Sequence, residues 1–72
     1  MNDDLFEKKC EFISWCIEEY AAENNLNGRN TANIFSQKKV LDFLGEHYDV
    51  LHTQGKAYIQ GAIDDFIKTR AD

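Results

Sequence analysis

The chain has 72 residues, a length that accommodates one small domain. Hydrophobic residues make up 43% and charged residues 29% of it, which is typical of a folded protein and excludes wholesale disorder. The formal net charge of −5 argues against binding to nucleic acid or to an anionic membrane, because both select for lysine and arginine.

The charge is unevenly distributed along the chain. Residues 1–24 carry seven acidic residues and two lysines, whereas acids and bases balance over the remainder. An electrostatic partner of the first segment would therefore be basic. The sequence has no apolar run of the roughly 20 residues that cross a membrane, and its N-terminus is acidic, unlike a secretion signal. We therefore expect a cytosolic protein.

The first predicted helix spans about 4–24, with Asp3 or Asp4 as its cap. One apolar stripe, predicted to face the core, lies within about 100° of the helical wheel. It consists of Phe6, Cys10, Ile13, Ile17, Tyr20 and Ala21. Leu5, Phe12, Trp15 and Cys16 widen the apolar arc to about 240°. Either the other helices wrap around this one, or its Phe12 and Trp15 edge meets a second protein.

An asparagine-rich loop over 24–30 ends the first helix, and Asn30 or Thr31 then caps a short second helix over 31–37. A continuous helix from there onward would scatter its apolar residues around the whole circumference, so we predict a break near Lys38 and Lys39. The third helix follows over about 39–46.

Residues 47–55 fit no regular period and are predicted to form a connector whose Val50 and Leu51 turn inward. Thr53 is predicted to cap a last helix over about 54–70. The predicted fold is all-α: a single helical domain over 1–72, built as a small bundle. Its first and last helices are long and antiparallel, and two short helices connect them.

No metal site or cofactor is expected. Cys10 and Cys16 are not spaced like a zinc-finger pair, and His47 and His52 flank the connector. Both cysteines are predicted to be small buried hydrophobes in a reducing compartment. A nucleophilic pair of Cys16 with His52 would need an exposed thiol in a cleft. We therefore predict no enzymatic activity.

The segment that precedes the last helix admits two interpretations. Free N–H groups at the helix start could hold an anion or small ligand, with His52, Thr53, Gln54 and Gly55 as the binding residues. Alternatively the segment is structural: Thr53 is only a cap, and His52 packs its ring against the first helix while one nitrogen bonds a connector carbonyl.

Three segments together resemble the bacterial domain of unknown function family 3791, which consists of short stand-alone proteins. They are Phe12-Ile13-Ser14-Trp15-Cys16-Ile17-Glu18-Glu19-Tyr20-Ala21, Val40-Leu41-Asp42-Phe43-Leu44 and Tyr48-Asp49-Val50-Leu51-His52-Thr53-Gln54-Gly55. The resemblance implies a small helical protein without assigned catalytic residues. It also suggests an antitoxin-like companion of an ADP-ribosyltransferase-like protein, through gene neighbourhood. Where the family is expected to have a small or glycine-containing turn between the second and third helices, this chain has Ser36-Gln37-Lys38-Lys39.

The leading hypothesis is a non-enzymatic interaction or regulatory module that binds a protein partner or a second copy of itself. The residues predicted to contact the partner are Phe12, Trp15, Glu19, Tyr48, Asp49, His52 and Gln54. The alternative is the small-ligand or anion binder around His52–Gly55. A lesser third hypothesis is an acidic mimic of nucleic acid.

Overall fold

The computed structural model describes the backbone of residues 3–69 and the side chains of residues 4–69. Within that range the chain forms five helices and no strand, so the predicted all-α class is confirmed. The helices are α1 (Asp3–Glu23), α2 (Gly28–Gln37), α3 (Val40–Glu46), α4 (Tyr48–Leu51) and α5 (Lys56–Thr69). None of the described helices is both long and apolar enough to cross a membrane.

The hydrophobic core takes side chains from all five helices. Its buried members are Cys16, Phe35, Val40, Leu44, Leu51, Ile59 and Ile63. Thr31 is also fully buried, and its hydroxyl donates a 2.9 Å hydrogen bond to the Asn27 carbonyl, which satisfies the polar group locally. Because α1 supplies a single residue to this cluster, it lies against the bundle and is not wrapped by it.

The loop after α1 reverses the chain through residues that tolerate its backbone angles. Asn25 adopts a left-handed conformation (φ 56°), and the Leu26 N–H donates to the Ala21 carbonyl at 2.8 Å, the pattern of a Schellman C-cap. The predicted start of α2 was wrong by three residues. Its cap is Asn27, whose side chain accepts from the Asn30 N–H at 2.7 Å, and this leaves Thr31 inside the helix.

A break separates α2 from α3 where the sequence predicted it. Lys39 forms the corner in a left-handed conformation (φ 65°, ψ 22°), which a residue with a Cβ adopts at a cost. The apolar residues on either side, Phe35 and Val40, can then both face the core.

The predicted connector contains a further helix, α4, which the sequence analysis missed. Tyr48 and Leu51, three residues apart, are its buried pair, whereas Val50, predicted to turn inward, is 56% exposed. Thr53 is not the cap of the last helix, because its hydroxyl donates to the Val50 carbonyl at 2.8 Å. Instead Gly55 precedes α5, and its carbonyl accepts from the Ile59 N–H, so the helix starts two residues later than predicted. Its predicted end at Arg70 lies outside the described residues.

The two longest helices are the first, with 21 residues, and the last, with 14. Lys56 at the start of α5 lies beside Glu19 and Glu23 at the end of α1, with Nζ 3.2 and 3.8 Å from their carboxylates. The last helix therefore begins where the first one ends, which agrees roughly with the predicted pair of long helices. The short helices number three in the described chain, not two.

The first turns of α1 extend beyond the bundle. α1 has 21 residues, whereas the next longest helix, α5, has 14. Phe6 and Cys10 were predicted to face the core, but Phe6 is 69% exposed and Cys10 is exposed as well. The stripe is buried or half-buried only from Ile13 onward. The prediction was wrong because these positions lie beyond the other helices.

Candidate functional site

Four of the predicted partner-binding residues lie together as one row of rings in contact, here called the aromatic row: Trp15, Phe12, Tyr48 and His52. Trp15 and Phe12, one turn apart on α1, have ring centroids 6.3 Å apart. Phe12 and Tyr48 of α4 form an edge-to-face pair with centroids 5.5 Å apart, and Tyr48 stacks almost parallel on His52 with centroids 4.3 Å apart. These separations are typical of favourable aromatic pairs.

The row is anchored in the middle and accessible at its ends. Tyr48 is buried and Phe12 packs against the core, while Trp15 is 37% exposed and His52 is exposed. Each ring is held by its neighbour, so a partner that contacts the ends would meet side chains that have already lost much of their rotamer freedom. Low ordering entropy is one reason that aromatic residues are frequent in interfaces.

His52 is oriented by its own backbone neighbourhood. Its Nδ1 lies 2.6 Å from the Tyr48 carbonyl oxygen, and because a carbonyl can only accept, Nδ1 carries the proton. A connector carbonyl therefore does bond this ring, as the structural interpretation predicted. The ring itself stacks on Tyr48, which in turn contacts Phe12 of α1.

The other three predicted contact residues are not part of the row. Glu19, one turn beyond Trp15 on α1, is half-buried and forms the ion pair with Lys56. Asp49 is exposed on α4, and Gln54 is exposed in the turn before α5.

The geometry around the start of α5 is poorly suited to an anion. Nδ1 of His52 is already engaged by the Tyr48 carbonyl, and the Thr53 hydroxyl already donates to the Val50 carbonyl. The carboxylates of Glu19 and Glu23 lie within 4 Å of the Lys56 ammonium at the same helix start. Their negative charge opposes the attraction of the helix N-terminus for an anion.

The two cysteines have different environments. Cys16 is fully buried, and burial raises the pKa of its thiol to about 12, so it remains protonated at neutral pH. A nucleophilic pair with His52 is therefore ruled out for this thiol. Cys10 is exposed, which contradicts the prediction that both are buried. Over residues 3–69 there is no group of three or more histidine, cysteine or acidic side chains able to hold a metal ion.

The sequence analysis overlooked the exposed apolar residues at the start of α1. Leu5 is 47% and Phe6 69% exposed, and neither is among the side chains that pack against the core. A signal was available, because the helix predicted over about 4–24 is longer than each of the helices predicted to pack against it.

The fold and the row together define a small all-helical domain that carries a preformed aromatic surface. Comparison with known families gives a match over residues 11–70 to the family described as "Protein of unknown function (DUF3791)". The chain belongs to this family, and the resemblance expected from the sequence is confirmed. No curated protein and no solved structure matches the chain.

Proposed function

We propose that this chain is a cytosolic, non-enzymatic interaction module that binds a protein partner through the aromatic row. The observation that carries the proposal is the unbroken series of ring contacts from buried Tyr48, through Phe12, to the partly exposed Trp15. Tryptophan and tyrosine are over-represented among the residues that dominate binding energies. Partly exposed aromatic rings on a rigid support are the usual form of such anchors.

Two further features support a protein partner. The apolar arc of α1 is wider than its own bundle covers, as the exposure of Leu5, Phe6 and Trp15 shows. Acidic residues are concentrated in the same helix, so a basic partner would be attracted electrostatically and would also bury apolar surface.

The test compares Trp15→Ala with Tyr58→Ala. Tyr58 is an exposed aromatic on α5, 58% accessible, and serves as the matched control. Proteins that co-purify from the native host with the unmodified chain are expected to be lost with Trp15→Ala and retained with Tyr58→Ala, while circular dichroism shows both variants folded. Retention of every partner by Trp15→Ala would contradict the proposal.

The family resemblance gives a more specific version, an antitoxin-like companion of an ADP-ribosyltransferase-like protein. If such an enzyme is encoded nearby, co-expression of this chain should restore growth to cells that the enzyme inhibits. The Trp15→Ala variant should fail to restore it. Equal restoration of growth by the unmodified chain and by Trp15→Ala would show that the aromatic row is not needed for this role.

The alternative function, a binder of small anions around His52–Gly55, has less support because Nδ1 of His52 and the Thr53 hydroxyl are already engaged in hydrogen bonds. Thermal shift measurements with phosphate and nucleotides distinguish the two. A stabilisation that is abolished in His52→Ala would favour the anion binder over the interaction module.

A further inference from the structure

One side of α1 carries a stripe that is only partly covered by the rest of the molecule. Leu5, Phe12 and Trp15 stand seven and then three residues apart, which places them within about 80° of each other around the helix. Leu5 and Trp15 are exposed and Phe12 is half-buried. We call these three residues the apolar stripe. It continues the aromatic row toward the start of the helix.

A line of carboxylates follows the apolar stripe along its whole length. Asp4, Glu11 and Glu18 recur at intervals of seven residues, so they lie within about 40° of each other and about 10 Å apart along the axis. All three are exposed. Both ion pairs formed within residues 3–69 involve Lys56, and neither uses any of these three carboxylates.

An apolar stripe beside a line of negative charge is complementary to an amphipathic helix whose apolar face is flanked by basic residues. A second copy of the chain is a poor occupant. Each copy carries a net charge of −5, all of it within residues 1–24, so two α1 helices would repel each other.

We propose that the apolar stripe and its acidic line bind a basic amphipathic helix of a partner protein, with lysine or arginine at every seventh position beside its apolar face. This inference rests on the proposed function and specifies the partner for the same surface. The seven-residue interval follows from the carboxylates, because two helices that pack at a small crossing angle keep equal spacings in register.

Trp15 is the only tryptophan in the chain and lies in the stripe, so its fluorescence reports occupancy directly. The probes are three tryptophan-free helical peptides with the same leucine face. One carries lysine at every seventh position, the second carries glutamate at those positions, and the third has the lysines moved to the opposite face. We expect a saturable blue shift with the first peptide and binding about tenfold weaker with the other two.

Charge variants of the protein test the sign of the interaction. Glu11→Gln combined with Glu18→Gln is expected to weaken binding of the first peptide about threefold to tenfold. The matched control, Asp42→Asn with Asp65→Asn, neutralises two exposed carboxylates on α3 and α5 and should leave it unchanged.

Lys8 provides a second test of the electrostatic attraction, because its positive charge should repel a basic peptide. It is exposed and lies within the angular range of the apolar stripe, so Lys8→Gln should strengthen binding of the first peptide, whereas Lys68→Gln on α5 should not. Raising the salt from about 0.01 to about 0.15 M, which shortens the screening length from about 30 to about 8 Å, should weaken it.

The outcomes separate this inference from the proposed function. Equal binding of the lysine and glutamate peptides, or no blue shift with any peptide, overturns the basic-helix partner. If host proteins are nevertheless lost with Trp15→Ala and kept with Tyr58→Ala, the interaction module stands without this partner class. A blue shift that appears on concentrating the protein alone, with a dimer in sedimentation, identifies a second copy as the occupant and also overturns the inference.

Discussion

Replacing Lys39 by glycine should stabilise the protein. Lys39 holds a left-handed backbone angle at the corner between α2 and α3, its side chain is exposed, and no side-chain hydrogen bond caps the helix there. This conformation costs a residue with a Cβ roughly 1–2 kcal/mol, and glycine avoids that cost. Glycine also gives the unfolded chain more conformational entropy, which lowers the free energy of unfolding by about 0.5–1 kcal/mol. The expected net gain is about 0.5–1 kcal/mol.

For a domain of this size, 1 kcal/mol corresponds to about 4–8 °C in Tm, so Lys39→Gly should raise Tm by roughly 2–8 °C. Lys38→Gly is the matched control, because it removes the same charge at a residue with φ −94°. It should lower the free energy of unfolding by about 0.5–1 kcal/mol. Urea unfolding monitored by circular dichroism measures both variants. A lower stability for Lys39→Gly, or equal effects of the two substitutions, would refute the strain argument.

Four further outcomes follow from the described contacts. Gly61→Ala should raise the free energy of unfolding by about 0.5–1 kcal/mol in a urea titration, because Gly61 lies within α5 and an added Cβ meets nothing within 4 Å. Cys10 should react quickly with a thiol reagent in the native protein, whereas Cys16 should react only after unfolding. Burial and a hydrogen bond to the Asp64 carboxylate of α5 raise the pKa of Tyr20 above its ordinary value of 10.0. Tyr20 therefore stabilises the fold below pH 10, and this stabilisation is lost as the pH rises further. The free energy of unfolding of Tyr20→Phe should fall less at alkaline pH than that of the unmodified protein. Phe6→Ser should change the free energy of unfolding by no more than about 0.5 kcal/mol, measured in urea, because Phe6 is exposed beyond the bundle.

The positions of the long helices could be predicted because each one carries a stripe that repeats over several turns. Ile59 and Ile63 of α5, and Ala21 of α1, are buried as that periodicity requires. By contrast α4 has only four residues, which is little more than one helical turn. A segment of that length shows no period in the sequence, so its helix is specified by the burial of Tyr48 and Leu51.

Helix ends were harder to predict because several residues compete for each capping position. Asn24, Asn27 and Asn30 all have suitable side chains, and only the packing of Thr31 in the core selects Asn27 as the cap of α2. In the same way, Thr53 has the right chemistry to cap α5, but α4 ends close enough for its hydroxyl to bond the Val50 carbonyl instead. The local sequence therefore predicts which residues could cap a helix, but tertiary contacts determine which of them does.

The sequence predicted which residues of the candidate site share a side of α1, but not which of them the other helices would leave exposed. The helical wheel identifies which residues share a side of α1, and it grouped Phe12 with Trp15, but it contains no information about how far the other helices reach. Phe6 and Ile17 both belong to the predicted core stripe, yet one is exposed and the other packs against the core. The fold therefore accounts for the apolar character of Ile13, Cys16 and Ile17 but not for that of Leu5 and Phe6. Leu5 and Phe6 are therefore free to contact another molecule, and the acidic line beside Leu5 is the observation on which the proposal of a basic partner rests.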